Sequence, residues 1–428
     1  MQEFVALGVF IIVYALVACR KRVGIPIWTA MLIGASLMTA LRVISVEAAL
    51  QSVNLDVIAF LFGMFTIVAA LERAGVLRKF AIKMLTVAKS PTRLLLVLVV
   101  GMGILAAFVV NDTVALLGVP LVAYVAARSG IRPAILLLAL AFAITVGSVM
   151  TPIGNPQNLL IALQSGITTP FLVFLTHLAI PTIINLGVTF AILKLVYRKE
   201  FASRFFKLSS NEMVLETDGY YDPKLARISI IVLLTTIGGF LISEMLFFLD
   251  IAHLSLSAVA MIGAAALYAI SSHRMVILKS VNYSILVFFA SMFVVMSAMW
   301  SSGAVSMIFE GLLPIPDPGD PVQSAAVISA ASIGTSQILS NVPFVTLFNY
   351  VMLDSGFTGV HVDQWMMLAA ASTIAGNLTI LGAASNVIII ETAESRRVAA
   401  FSFVEFLKIG VPVTAANLAV YYLFIVVI

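Results

Sequence analysis

Long apolar runs separated by short polar clusters dominate the 428-residue chain. A helix needs about 20 apolar residues to cross roughly 30 Å of hydrocarbon. Runs near that length occur at Phe4–Cys19, Gly24–Leu41, Asp56–Leu71, Ala134–Leu163 and Phe171–Tyr197. A second series follows at Leu225–Leu246, Leu254–Ile270, Ser284–Ser301, Met366–Ile390 and Phe406–Ile428. Between the third and fourth runs of each series lies a longer apolar stretch broken by polar residues. These stretches are Leu94–Ala127, broken at Asn111-Asp112-Thr113, and Val322–Leu353, broken at Ser340-Asn341-Val342-Pro343. Each is either a pair of ordinary spans with a tight turn or a re-entrant hairpin. Short arms and polar tips favour the hairpin, with 94–127 opening to the cytoplasm and 322–353 to the outside.

Composition agrees with the pattern. The chain is 62% apolar and 10% charged, whereas a soluble domain carries about 25% charged residues. A water-soluble fold of this size has no means of hiding so much apolar surface, so lipid covers it. The first run is read as a span and not a signal peptide, because Glu3 precedes it and Arg20-Lys21-Arg22 follow. The single cysteine, Cys19, rules out a disulfide framework and cysteine-based metal sites. His177, His253, His273 and His361 are scattered and lack ligand spacing, so no firm metal site is expected. No basic-aromatic patch points to nucleic acid.

Charge then orients the spans. With the N-terminus outside, every Lys and Arg except Arg42 falls in a cytoplasmic segment, as the positive-inside rule requires. Both termini lie outside on this scheme. Residues 198–224 form a cytoplasmic linker between a first repeat (1–197) and a second (225–428), with Phe201, Phe205 and Phe206 on the membrane surface. An inner (plasma) membrane location follows.

Sliding the chain on itself by about 228 residues brings the halves into register. Asn54 falls on Asn282, Phe60 on Phe288, Gly75 on Gly303, Gly154 on Gly382 and Asn158 on Asn386; Asn111 meets Asn341 two residues later. An odd number of spans per half makes the repeats inverted. The expected fold is therefore an all-α polytopic membrane protein of two inverted repeats, each with five transmembrane helices and one re-entrant hairpin. Such repeats with broken helices are the architecture of secondary transporters. A broken helix leaves free N–H and C=O groups away from bulk water, ready to bind an ion or a solute.

Each half carries a second break beyond its hairpin. The first is Thr151-Pro152-Ile153-Gly154-Asn155-Pro156-Gln157-Asn158; its counterpart runs through Gly376-Asn377-Leu378-Thr379 to Gly382-Ala383-Ala384-Ser385-Asn386. The expected substrate- or ion-binding residues are Asn111, Asp112, Thr113, Thr151, Gly154, Asn155, Asn158, Ser340, Asn341, Gly382, Ser385 and Asn386. Na+ at Asn111 and Asn341 is one option. Asp112 reads as a carboxylate deep within an apolar segment, where it must be paired or protonated, and so is a candidate proton carrier. The competing role is a helix cap at the hairpin tip.

These motifs resemble the ion transporter superfamily, and within it the arsenite-efflux (ArsB-like) and plant silicon-efflux branch. The resemblance covers nearly the whole chain. It implies substrate and coupling ion at the four breaks. The related divalent-anion:sodium symporters carry Ser-Asn-Thr at both tips and Pro-Pro-Asn after each; here Asp112 and Val342-Pro343 depart from the triplets, and Pro-Pro is absent. The expected function is secondary transport of a small inorganic anion or metalloid hydroxide, arsenite- or silicate-like, by proton-coupled efflux. Alternatives are sodium-coupled symport of a di- or tricarboxylate, sulfate or phosphate, and sodium/proton antiport. No cofactor is called for beyond the coupling ion, H+ or Na+. The partners are a small-molecule or ion substrate and the lipid bilayer, with a homodimer as the sodium-symporter branch suggests. An enzyme would need a nucleophile–base or metal constellation, and none is visible.

Overall fold

The computed structural model describes residues 2–202, 221–251, 254–305 and 316–428. His253, Phe205 and Phe206 lie outside the described residues. Every regular element among those described is helical, and nine helices are long and apolar enough to cross a membrane.

The first half runs α1 (Gln2–Ala18), α2 (Arg20–Val23), α3 (Ile27–Ala40), α4 (Val46–Ser52), α5 (Leu55–Arg73), α6 (Val76–Thr86), α7 (Pro91–Phe108), α8 (Asn111–Ser129), α9 (Pro133–Gly147), α10 (Pro156–Gln164) and α11 (Pro170–Val196). The second runs α12 (Pro223–Phe248), α13 (Leu256–Ile270), α14 (Arg274–Ser280), α15 (Tyr283–Ser301), α16 (Pro321–Leu339), α17 (Asn341–Asp354), α18 (Val362–Ile374), α19 (Ala384–Ser395) and α20 (Phe403–Tyr422).

The 228-residue offset reappears in the element boundaries. It carries α4 onto α14 and α5 onto α15, end to end, and carries the start of α10 onto the start of α19. Gly75 and Gly303, just beyond α5 and α15, both adopt positive φ (74° and 78°), the left-handed conformation that closes a helix C-terminus.

Two compact units cut across these halves. One contains Met1–Ala69, Val232–Pro316 and Thr346–Gly356; the other contains Ala70–Ile231, Asp317–Val345 and Phe357–Ile428. In the first unit α3 packs on α15 and α1 on α3. In the second, α7 packs on α9, α16 on α18, α8 on α19 and α11 on α20. All four breaks belong to this second unit.

Three of the four hairpin arms are longer than the apolar runs suggest: α7 has 18 residues, α8 19 and α16 19. The reason is local. Ser90 and Asp320 cap α7 and α16 by accepting from Arg93 N–H and Gln323 N–H, and Pro91 and Pro321 occupy the first turns, so both helices begin before their apolar runs. Phe201 also departs from expectation. It is buried within the second unit, where its carbonyl accepts from Thr92 Oγ1 at 3.5 Å, and so is not a membrane-surface anchor.

Candidate functional site

The long apolar stretches are broken where the sequence places prolines and amides. After α9 a 3₁₀ turn (Ser148–Met150) leads into an extended Thr151, and α10 restarts at Pro156. After α18 come two 3₁₀ turns, Ala375–Asn377 and Ile380–Gly382, around an extended Thr379, and α19 restarts at Ala384. Gly154 N–H donates to Thr151 O at 3.3 Å, and Gly382 N–H donates to Thr379 O at 3.1 Å. Asn158 Nδ2 donates to Ser148 O at 3.2 Å, and Asn386 Nδ2 donates to Gly376 O at 2.7 Å. The two breaks are thus copies of one local structure.

Both hairpin tips meet the breaks. Asn111, at the start of α8, donates its backbone N–H to Gly154 O at 3.0 Å. A Cβ on Gly376 would come within 3.1 Å of Asn341 Nδ2, so glycine there lets the second tip approach the second break. Ser340 forms the tip between α16 and α17 with φ 65° and ψ 160°, a conformation that costs a non-glycine residue on the order of 1–3 kcal/mol. Strain of this kind persists only where surrounding packing enforces it.

The side chains of the first break are saturated. Asn155 Nδ2 donates to Ser148 O (3.1 Å), Ser148 Oγ (3.1 Å) and Thr373 Oγ1 (3.3 Å), while its Oδ1 accepts from Asn158 N–H (2.9 Å). Asn158 Nδ2 donates also to Val149 O (3.1 Å) and Thr151 O (3.2 Å), and its Oδ1 accepts from Thr373 Oγ1 (3.2 Å). Thr151 Oγ1 bonds Ala107 O and accepts from Ile153 and Gly154 N–H, each at 3.2 Å. Gly154 has no room for a side chain, because a Cβ would collide with the Ser148 carbonyl. Asn155, Asn158, Thr151 and Gly154 therefore build the break; their polar atoms are already engaged.

The second break is open. Ser385 Oγ, Asn386 Oδ1, Asn341 Oδ1, Ser336 Oγ and both amide atoms of Asn377 are buried without a hydrogen-bond partner, as is Asn111 Oδ1 at the first tip. A buried polar group left unpaired costs about 1–3 kcal/mol, so hydrogen-bonding capacity to spare is concentrated here. Gln337 organises the backbone beside it, donating from Nε2 to Ala375 O (2.9 Å) and accepting from Thr379 Oγ1 (2.7 Å) at Oε1. A Cβ on Gly382 would lie 3.0 Å from Gln337 Oε1.

Asp112 and Thr113 are half-buried in the first turn of α8. No ion pair or side-chain hydrogen bond engages Asp112 among the described residues.

Sequence reading passed over Thr373 and Gln337, which hold the two breaks in shape, and gave Asn377 no binding role. The repeat offset pairs Thr373 with Thr145, which was the available signal. It also passed over Glu244, a second carboxylate buried within a membrane-length helix, α12, at 2% exposure.

Comparison with known proteins places this arrangement. The 46 kDa membrane protein of Mycobacterium leprae is 31% identical over 98% of this chain and 97% of its own. The silicon efflux transporter LSI3 of Oryza sativa subsp. japonica is 27% identical over 91% of this chain and 90% of its own. Among solved structures, the YdaH transporter of Alcanivorax borkumensis shares the fold with a TM-score of 0.53 at 14% identity, covering 86% of this chain and 84% of that one. The profile of the citrate transporter family, CitMHS, matches residues 14–365. The chain is a multi-pass membrane transporter of the ion transporter superfamily and belongs to the citrate transporter (CitMHS) family.

Proposed function

We propose that the protein exports a small, hydroxyl-rich oxo-acid, silicic acid- or arsenite-like, in exchange for protons, and that the cargo is held at the second break. The observation that carries this is the set of orphaned acceptors at that break and its tip: Asn341 Oδ1, Asn386 Oδ1 and Ser385 Oγ. Amide oxygens without donors are completed by the O–H groups of an undissociated hydroxide acid and repel the oxygens of a carboxylate. No Lys or Arg occurs at any of the four breaks, so a multiply charged anion would meet no protein counter-charge. The relative named for silicon efflux supports the cargo class. Asp112, unpaired beside the first tip, is the proton carrier.

A second reading is sodium-coupled carboxylate transport, favoured by the family's description as citrate transporters. Na+ on the Asn111 and Asn341 oxygens would then offset the charge of the anion. On either reading the protein works in the cytoplasmic membrane, with its linker on the cytoplasmic side and both termini outside.

Purified protein in liposomes loaded in turn with silicate, arsenite, phosphate, sulfate, succinate or citrate separates the two. Hydroxide-acid flux driven by a pH gradient, and abolished in Asp112→Asn, is expected. Carboxylate flux that requires sodium and survives in Asp112→Asn would replace the first reading by the second.

A further inference from the structure

A polar seam lies away from the four breaks, on α11 and α20. Both are membrane-length helices, and each carries an internal proline, Pro181 or Pro412. Shortly after its proline each helix repeats one spacing: Thr182, Asn185 and Thr189 on α11, and Thr414, Asn417 and Tyr421 on α20, displaced by 232 residues. At i, i+3 and i+7 the three side chains of each set share one helix face. All six are buried to within 3%.

The two faces meet antiparallel. Thr182 Oγ1 and Tyr421 OH are 2.7 Å apart at one end. Asn185 Nδ2 donates to Asn417 O at 3.0 Å in the middle, and Asn417 Nδ2 donates to Thr189 Oγ1 at 3.3 Å. Thr182 thus faces the repeat-mate of Thr189, and the two asparagines, repeat-mates of each other, meet in the middle. Both amides spend their N–H groups on the opposite helix. Asn417 Oδ1 and Thr414 Oγ1 are left buried with no partner.

We propose that this seam is a binding site for a hard monovalent cation of sodium size, separate from the cargo site. The chemistry is that of neutral oxygen donors: amide oxygens and threonine hydroxyls suit a hard cation, and the absence of a carboxylate from the six selects against a divalent one. The amide N–H groups are engaged across the seam, while Asn417 Oδ1 and Thr414 Oγ1 keep acceptor capacity that a cation can use. Its position is also informative. A Cβ on Gly410, one turn before Thr414 on α20, would collide with the Asn377 carbonyl of the second break. A cation here would therefore sit one helical turn from the backbone that shapes the cargo site, without touching cargo.

The test is thermal unfolding of the purified, cargo-free protein in choline buffer with added Na+, Li+ or K+. A saturable rise in unfolding temperature, stronger for Na+ than for K+, is expected. Thr414→Val, close in shape but lacking the hydroxyl oxygen, should raise the Na+ concentration for half-effect by about tenfold. Asn417→Asp, which adds charge to the site, should lower it by a similar factor. Asn341→Ala, at the cargo site, should leave it unchanged. No saturable response in the native protein means that the seam holds water alone and overturns the assignment. So does any pattern other than loss in Thr414→Val with retention in Asn341→Ala, including a response lost only in Asn341→Ala, which would move the ion to the hairpin.

Discussion

The two breaks share a backbone and differ in what their side chains have left to give. At 151–158 each amide hydrogen-bonds inside the protein; at 376–386 the equivalent amide, Asn386, keeps one bond to Gly376 O and leaves its oxygen free. The difference traces to one substitution and one contact. Asn155 becomes Ala383, removing a cap, and of the matched threonines Thr145 bonds only its own helix at Ala141 O, whereas Thr373 bonds across to the first break. Duplication supplied two potential sites, and one has been turned into scaffold.

The largest effect that would break this comparison lies at Asn158. Replacing it with alanine removes four hydrogen bonds, so unfolding in denaturant should show a loss of roughly 3–4 kcal/mol, at about 1 kcal/mol per bond. A variant as stable as the native protein but with a raised KM would make the first break a binding site after all. Thr373→Val should cost about 2 kcal/mol, because Asn155, Gln157 and Asn158 all lose a partner. The opposite signature is expected at Ser385. Its hydroxyl is already unpaired, so Ser385→Ala should be neutral or slightly stabilising, while KM for transport rises about tenfold, or about 1.4 kcal/mol. The smallest effect sharpens the comparison. Ala383→Asn restores the cap of the first break to the second and should lower flux a few-fold while stability rises by about 1 kcal/mol.

Much of this was legible in the sequence. The register of the repeat, the positions of all four breaks and the helix-closing glycines at 75 and 303 follow from matched residues at a constant offset. Hairpin arm length was misjudged because hydropathy marks where a helix becomes apolar, whereas Pro91 and Pro321 with their caps mark where it starts. Which amides are spent was not legible. That depends on Thr373 meeting Asn155, and on Gln337 meeting Ala375, contacts set by packing between elements far apart in the chain. Asn155 and Asn158 look like the best ligands in sequence for the same reason that they make good scaffold: an amide satisfies a broken backbone as readily as it binds a solute. The α11–α20 seam was overlooked because single polar residues in long apolar helices carry no signal until the two faces are brought together.

Thr373 also sets a clock on biogenesis. Its hydroxyl completes Asn155 and Asn158, which precede it by 218 and 215 residues. At a synthesis rate of about 5–20 residues per second, the first repeat enters the membrane roughly 10–45 s before its own break can close. Through that interval buried amides remain exposed to lipid or to whatever insertion machinery shields them. A chain split between the repeats would leave the first half waiting indefinitely, so its survival in the membrane should depend on co-expression of the second.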